Sequence, residues 1–154
     1  MRLKPLLPEL VLLDGDAIRE SLSTDLGFDE ADRIRQIGRV QRLAKLLSSQ
    51  GLVVLVAVVY ANPQLLAWNR EQIPDYTEVL IDAPIEMVRG RDPKGLYARV
   101  SRAETRDVVG VDLPWNRPEH ADVVIDPQTP AEEAAATIAK AVPRLALAWA
   151  HTCQ

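Results

Sequence analysis

The sequence predicts a three-layer α/β domain, a parallel sheet with helices on its faces. Three observations carry that expectation. Short apolar, β-branched runs recur at residues 9–13, 52–61, 77–84 and 121–126. Helical stretches separate them, and turn or acidic signals such as Asp14-Gly15-Asp16 and Asp82-Ala83-Pro84 close them. Strands that alternate with helices pair in parallel through right-handed crossovers.

In chain order, Glu9 to Leu13 is short and apolar and runs into Asp-Gly, which suits a buried strand. A short helix is predicted from Ala17 to Ser23. Asp29-Glu30-Ala31-Asp32 places acids at the start of a second helix that runs to about Ser49, with Gly51 as its stop. LVVLVAVVYA, residues 52–61, is apolar on both faces, as a central parallel strand should be. Asn62-Pro63 breaks it, and a helix holding Leu65, Leu66 and Trp68 follows as far as Pro74. TEVLIDAP, residues 77–84, is the next strand, Ile85 to Arg91 a helical turn or two, and Asp92 to Asp107 a charged segment. ADVVID, residues 121–126, is the last strand, and Thr129 to Trp149 the final helix, with Pro143 as a break point.

Composition narrows the function classes. With 154 residues, 47% of them hydrophobic, one domain over residues 1–154 is expected. A net charge of −4 and a pI near 5.2 argue against broad binding to nucleic acid or an anionic membrane. The longest apolar run, Leu52 to Ala61, is shorter than the roughly 18 residues a membrane helix needs. The opening MRLKPLLPEL has two prolines and no small-residue cleavage site, and the single cysteine, Cys153, allows neither an internal disulfide nor a cysteine metal cluster. A cytoplasmic protein is the expectation.

In parallel α/β sheets ligands sit at the carboxyl ends of the strands. Asp14-Gly15-Asp16 with Arg19 one turn later offers carboxylate for a magnesium water and a guanidinium for an anionic group. A plain turn with Asp16 capping the following helix is the competing reading. At about 100° per residue, Arg33 falls on the same arc as Ile37, Val40, Ala44 and Leu47, opposite Arg35, Arg39 and Arg42. An inward guanidinium in a first turn meets a bound anion or a structural carboxylate, and both readings stand. The outward trio reads as a solvated face. Residues 87–107 carry Arg89, Arg91, Lys94, Arg99, Arg102 and Arg106 around a Pro93-Lys94-Gly95 pivot. They suit either a cationic lid over a phosphoryl group or an exposed charged helix. His120 and His151 lack a ligand pattern, and Trp68, Trp115 and Trp149 suit core or rim positions.

LLDGDAIR, DLGFDEADRIRQI, RLAKLLSSQGLVVLVA, EVLIDAPIEMVRGRDPKGLY, VGVDLPW and ADVVID follow one another over most of residues 10–126. In that order and spacing they resemble the adenylyl-sulfate kinase family of the P-loop kinase superfamily. The combination of LDGD-xx-R with RDPKGLY is its specific part. The resemblance implies a P-loop-kinase-like fold and ATP-dependent phosphorylation of the 3′-hydroxyl of adenylyl sulfate, a step of sulfate assimilation. By position it implies that Asp16 faces magnesium and the 3′-hydroxyl, and that Arg19 and Arg33 hold the substrate's phosphosulfate. It further implies Phe28 against the substrate adenine, Arg91 near the adenine of ATP, and Lys94 in the lid.

Departures from the family pattern set further expectations. Family members begin with a strand and a GxxxxGK[ST] loop followed by a helix, and this sequence opens after all three. The missing strand would lie between those of residues 52–59 and 78–82, so their edges should be exposed or the strands should close up. Ala17, Gln36, Tyr60-Ala61, Pro63, Ser101 and Val108 replace residues that touch substrate in the family. Three functional readings follow: a kinase-like phosphotransferase inactive as this isolated chain, a non-catalytic nucleotide- or anion-binding relative, and a module that oligomerises through open sheet edges.

Overall fold

The structure is a computed structural model and describes residues 4, 7–60, 62–92, 95, 99 and 106–150. The first parallel pair is β1 (Leu10–Asp14) and β2 (Val53–Ala57), in register from Leu10 beside Val53 to Asp14 beside Ala57. Between them lie α1 (Gly15–Leu22) and α2 (Glu30–Ser49). The second pair is β3 (Val79–Ile81) and β4 (Val123–Ile125), also parallel. Helix α3 (Pro63–Gln72) precedes β3 and α4 (Ile85–Arg91) follows it, and α5 (Ala131–Ala141) and α6 (Pro143–Ala150) come after β4. The predicted final helix is thus two helices, because Pro143 has no N–H to continue α5.

Local chemistry sets the boundaries. Asp14 caps α1, its Oδ1 accepting the N–H of Asp16 and of Ala17 at 3.0 Å each. This corrects the reading of Asp16 as the cap. Asp29 caps α2 by accepting the N–H of Asp32 at 2.8 Å. Asn62 caps α3, accepting from Gln64 at 2.9 Å, and Pro63 fills the first position, where no N–H is needed. Gly51 ends α2 with φ +84°, a left-handed conformation that costs little only without a Cβ.

Alternation along β1 divides the core. Leu10, with Leu7, Val53 and Leu55, packs against Ala139, Leu145, Ala148 and Trp149 of the carboxy-terminal helices and Val142 between them. On the other face Val11, Leu13 and Val54 meet Val40, Leu43, Ala44 and Leu47 of α2. Val40, Ala44 and Leu47 of the inward arc read from the sequence therefore lie in this core. Arg39, assigned to a solvated face, instead forms a two-pronged ion pair with Asp25 at 2.6 and 2.7 Å and donates to the Leu22 carbonyl at 3.1 Å.

Among the described residues strand β2 is not central. Its partner there is β1 alone, and the partner of β3 is β4 alone. Val56, Val58 and Val59 are exposed, Val59 to 75%. Among the described residues the strands have not closed up, and no strand covers their open edges. The two pairs are joined indirectly. Gln41 of α2 donates to Asn69 of α3 at 2.8 Å, and Asn69 donates to Tyr76 Oη at 3.3 Å. Arg70 reaches Glu78 and Asp122 at 3.3 Å each, and Glu78 is buried. Burial pushes the Tyr76 phenol upward, and the Glu78 carboxylate adds to the shift.

Leu10 is 1% exposed and Leu12, on the same strand, 51%. Leu10→Ala should lower the unfolding free energy by about 2–5 kcal/mol and Leu12→Ala by less than about 1 kcal/mol in urea titrations. Equal losses would contradict this packing. The Arg39 hydrogen bond holds the Asp25 carboxyl at about 2, below its ordinary 3.8. The unfolded chain takes up this proton first, so the contribution is complete above 3.8 and is lost as the pH falls toward 2. Asp25→Asn should flatten that part of the curve of thermal midpoint against pH, and an unchanged slope would exclude Asp25 as its source.

Candidate functional site

The site forms at the carboxyl end of β1, where α1 begins. Gly15 fits closely there, since a Cβ would stand 3.1 Å from the Ala57 carbonyl oxygen and 3.2 Å from Val58 Cγ1. One turn later Arg19 points toward the loop of residues 23–29. That loop is pinned at three places. Arg39 holds Asp25, the Asp32 carboxylate accepts the Gly27 N–H at 2.6 Å, and Arg19 donates to the Gly27 carbonyl at 2.5 Å.

This pinning presents Phe28, 57% exposed, to two guanidiniums. The Arg19 Cζ lies 4.8 Å from the ring centroid and the Arg33 Cζ 5.8 Å. Arg33 is half-buried, its Nε donating to the Phe28 carbonyl at 2.8 Å and its Nη2 to the Asp107 carbonyl at 2.7 Å. Among the described residues neither Arg19 nor Arg33 forms an ion pair with a carboxylate, so Arg33 is not the structural ion pair of the competing reading. Burial pushes the Arg33 guanidinium down, and the charge of Arg19 pushes it further, against the pull of Asp107 and Asp112. Two like charges converge on one aromatic ring, a place where an anion gains charge-assisted hydrogen bonds.

Three neighbours escaped the sequence reading as site-builders. Tyr60 is buried and its hydroxyl donates to Glu30 Oε1 at 3.0 Å, tying the segment after β2 to the start of α2. Gln36 is buried beside α1, donating to the Gly15 carbonyl at 3.3 Å, while its Oε1 has no partner. Asp112 accepts the N–H groups of Asp107 and Val108 at 2.6 and 2.7 Å, which fixes the carbonyl that Arg33 holds. The first two were visible in the sequence only as departures from a family pattern. Val108 is buried and offers no stacking surface.

Other strand ends are engaged. Asp82 pairs with Arg117 at 2.8 Å, a hydrogen bond that lowers its carboxyl pKa. Asp126 accepts the Gln128 N–H at 2.7 Å. Arg91, in the last turn of α4, donates to the Pro127 carbonyl at 3.3 Å. Lys94 and most of the predicted lid lie outside the described residues.

Asp16 is exposed at the start of α1. Among the described residues no cluster of three or more His, Cys, Asp or Glu side chains could hold a metal by itself. The donor set fits a magnesium held by one carboxylate, with the remaining ligands from water and phosphate. It does not fit the phosphate chain of ATP, for which the sequence holds no GxxxxGK[ST] run. No described helix is long and apolar enough to cross a membrane.

The profile of the family described as Adenylylsulphate kinase matches residues 3–126. The adenylyl-sulfate kinase of Paraburkholderia xenovorans is 38% identical over 127 residues, 82% of this chain and 71% of that protein. That of Marinobacter nauticus is 38% identical over 117 residues, 75% of this chain and 59% of that protein. The bifunctional enzyme NodQ of a Rhizobium species is 41% identical over 114 residues, 73% of this chain, which spans 18% of NodQ. The APS kinase CysC of Mycobacterium tuberculosis, in complex with AMPPNP and APS, superposes with a TM-score of 0.82 at 32% identity, over 92% of this chain and 86% of that one. With a parallel α/β architecture and a family match over most of its length, the chain belongs to the adenylyl-sulfate kinase family.

Proposed function

We propose that this chain forms the acceptor-substrate half of an ATP-dependent adenylyl-sulfate kinase. The observation that carries the reading is the convergence of Arg19 and Arg33 on Phe28, with neither guanidinium in an ion pair with a described carboxylate. The phosphosulfate of adenylyl sulfate is a compact multiple anion that suits two forked donors. The exposed part of the Phe28 ring gives the adenine an apolar surface. Asp16, at the mouth of α1, is the carboxylate for the 3′-hydroxyl and for magnesium, with Arg91 and Lys94 assigned to the ATP side and the lid. The role belongs to sulfate assimilation in the cytoplasm.

Magnesium supplies charge neutralisation for a transferring phosphoryl group when bound. The chain's own residues supply the rest of the acceptor side: Arg19 and Arg33 bind and orient the anion, and Asp16 holds the hydroxyl's proton. Backbone donors for the ATP phosphates are the missing contribution, and such donors carry much of the stabilisation in phosphoryl transfer. The isolated chain therefore binds adenylyl sulfate without phosphorylating it. In that state it behaves as the non-catalytic nucleotide-binding relative, the second reading.

Calorimetry with adenylyl sulfate should detect binding by the purified chain. Arg19→Ala and Arg33→Ala should each weaken it by about 10–100-fold, equivalent to about 1.4–2.8 kcal/mol. Asp16→Asn should leave that affinity within about threefold, since one screened carboxylate contributes little to anion binding. No binding, or arginine variants that bind as well as the parent, would refute the acceptor site. A coupled assay with magnesium-ATP should show no phosphorylated product from the 154-residue chain, and steady turnover would refute its proposed inactivity.

A further inference from the structure

Two backbone carbonyls hold Arg33, and the choice of partner matters chemically. Its Nε donates to the Phe28 carbonyl at 2.8 Å and its Nη2 to the Asp107 carbonyl at 2.7 Å. A guanidinium has five N–H donors, so these bonds leave others for a ligand. A carbonyl orients the group without neutralising it, whereas a paired carboxylate would offset the charge that an anion needs. Asp107 and Asp112 both act on Arg33 electrostatically, yet among the described residues neither carboxylate forms an ion pair with it.

The Asp107 carbonyl is presented by an unusual turn. Asp107 has φ +62°, a left-handed conformation that non-glycine residues rarely adopt and that surrounding contacts must hold in place. Asp112 supplies those contacts, its Oδ2 accepting the Asp107 N–H at 2.6 Å and its Oδ1 the Val108 N–H at 2.7 Å. Both carboxylate oxygens are thus engaged by backbone. The turn is also anchored from behind. Val108 and Val109 are buried, and the Val108 carbonyl accepts the N–H groups of Val111, Asp112 and Leu113 at 3.1, 3.2 and 3.2 Å. Gly110, at φ +82°, lies so near the start of α4 that a Cβ would stand 3.0 Å from Ile85 Cδ1.

We propose that Asp112 is a positioning residue of the acceptor site, acting through the left-handed backbone of Asp107 to set Arg33 over Phe28. The proposal rests on the reading of Arg33 as an anion donor. Asp112 itself touches no substrate in this role. Without its grip, Asp107 relaxes to negative φ and its carbonyl turns away. Arg33 then keeps the Phe28 carbonyl as its single fixed point, and anion affinity falls through lost preorganisation.

Asp107→Gly and Asp107→Val delete the same carboxylate and differ in the backbone they allow, since glycine adopts positive φ readily and a β-branched residue does not. In calorimetry with adenylyl sulfate, Asp107→Gly should bind at least as tightly as the parent, and Asp107→Val and Asp112→Ala about tenfold more weakly. Asp112→Asn keeps one acceptor oxygen and should fall between Asp112→Ala and the parent. A second readout needs no ligand. The Arg33 Nε–H resonance, assigned by its loss in Arg33→Lys, should exchange slowly with solvent in the parent and in Asp107→Gly. It should exchange fast in Asp107→Val and Asp112→Ala. Asp126→Ala, which removes the acceptor of the Gln128 N–H, should leave this resonance unchanged. Slow amide exchange retained in β1 and β2 separates a displaced arginine from an unfolded chain, and Asp112→Asn replaces any variant that loses it. Equal Nε–H exchange in Asp107→Gly and Asp107→Val, or slow exchange in Asp112→Ala, would overturn the proposal. Failure of the parent to bind adenylyl sulfate would overturn the acceptor reading instead, and the exchange rates decide the role of Asp112 in either case.

Discussion

Everything at the carboxyl end of β1 depends on the seating of α2 against the β1–β2 pair. Val40 and Ala44 press on Leu13 from one side while the carboxy-terminal helices press on Leu10 from the other. A parallel pair is stable only with both faces covered, so this sandwich fixes the height and rotation of α2. Rotation decides where its first turn points. Because Val40 is locked inward, Arg33, seven positions earlier on the same stripe, has to face the loop that carries Phe28. A hydrophobic contact two turns away thereby aims a guanidinium.

The same seating explains why the loop of residues 23–29 can be short of apolar anchors and still hold one shape. Its partners are polar and come from α1 and α2: Arg39 for Asp25, Asp32 for the Gly27 N–H, and Arg19 for the Gly27 carbonyl. A Cβ on Gly27 would stand 3.0 Å from the Asp32 carboxylate, so the tight approach itself is part of the pinning. Such bonds are individually modest. Together they leave Phe28 exposed without leaving it loose.

Fold class was legible because its signals are local. β-branched runs, the acids of residues 29–32, the Asn62-Pro63 break, the Gly51 stop and the Pro143 break all act within a few residues. The inward stripe of α2 was legible for the same reason, since helical periodicity needs only the helix itself. What stayed hidden is long-range. Nothing local tells Asp14 from Asp16 as the cap, because both flank one glycine and the choice rests on which residue keeps extended backbone. Arg39 looked solvated because its partner, Asp25, lies 14 residues away in a loop. Tyr60 was read as a substitution, and its bond to Glu30 spans 30 residues. The open edges followed only from comparing this chain with a family pattern, since an apolar run looks alike whether its neighbour is present or not.

Arg33 also ties together two parts of the chain that are 74 residues apart, through the Asp107 carbonyl. Its guanidinium has a fixed number of donors, so an anion that recruits one of them competes with Phe28 and Asp107 for the rest. Ligand occupancy and the position of the 107–113 segment then become thermodynamically linked quantities. Whatever stabilises that segment changes anion affinity by a factor, and the anion changes the segment's stability by the same factor. One arginine in this arrangement is both a receptor and a transmitter.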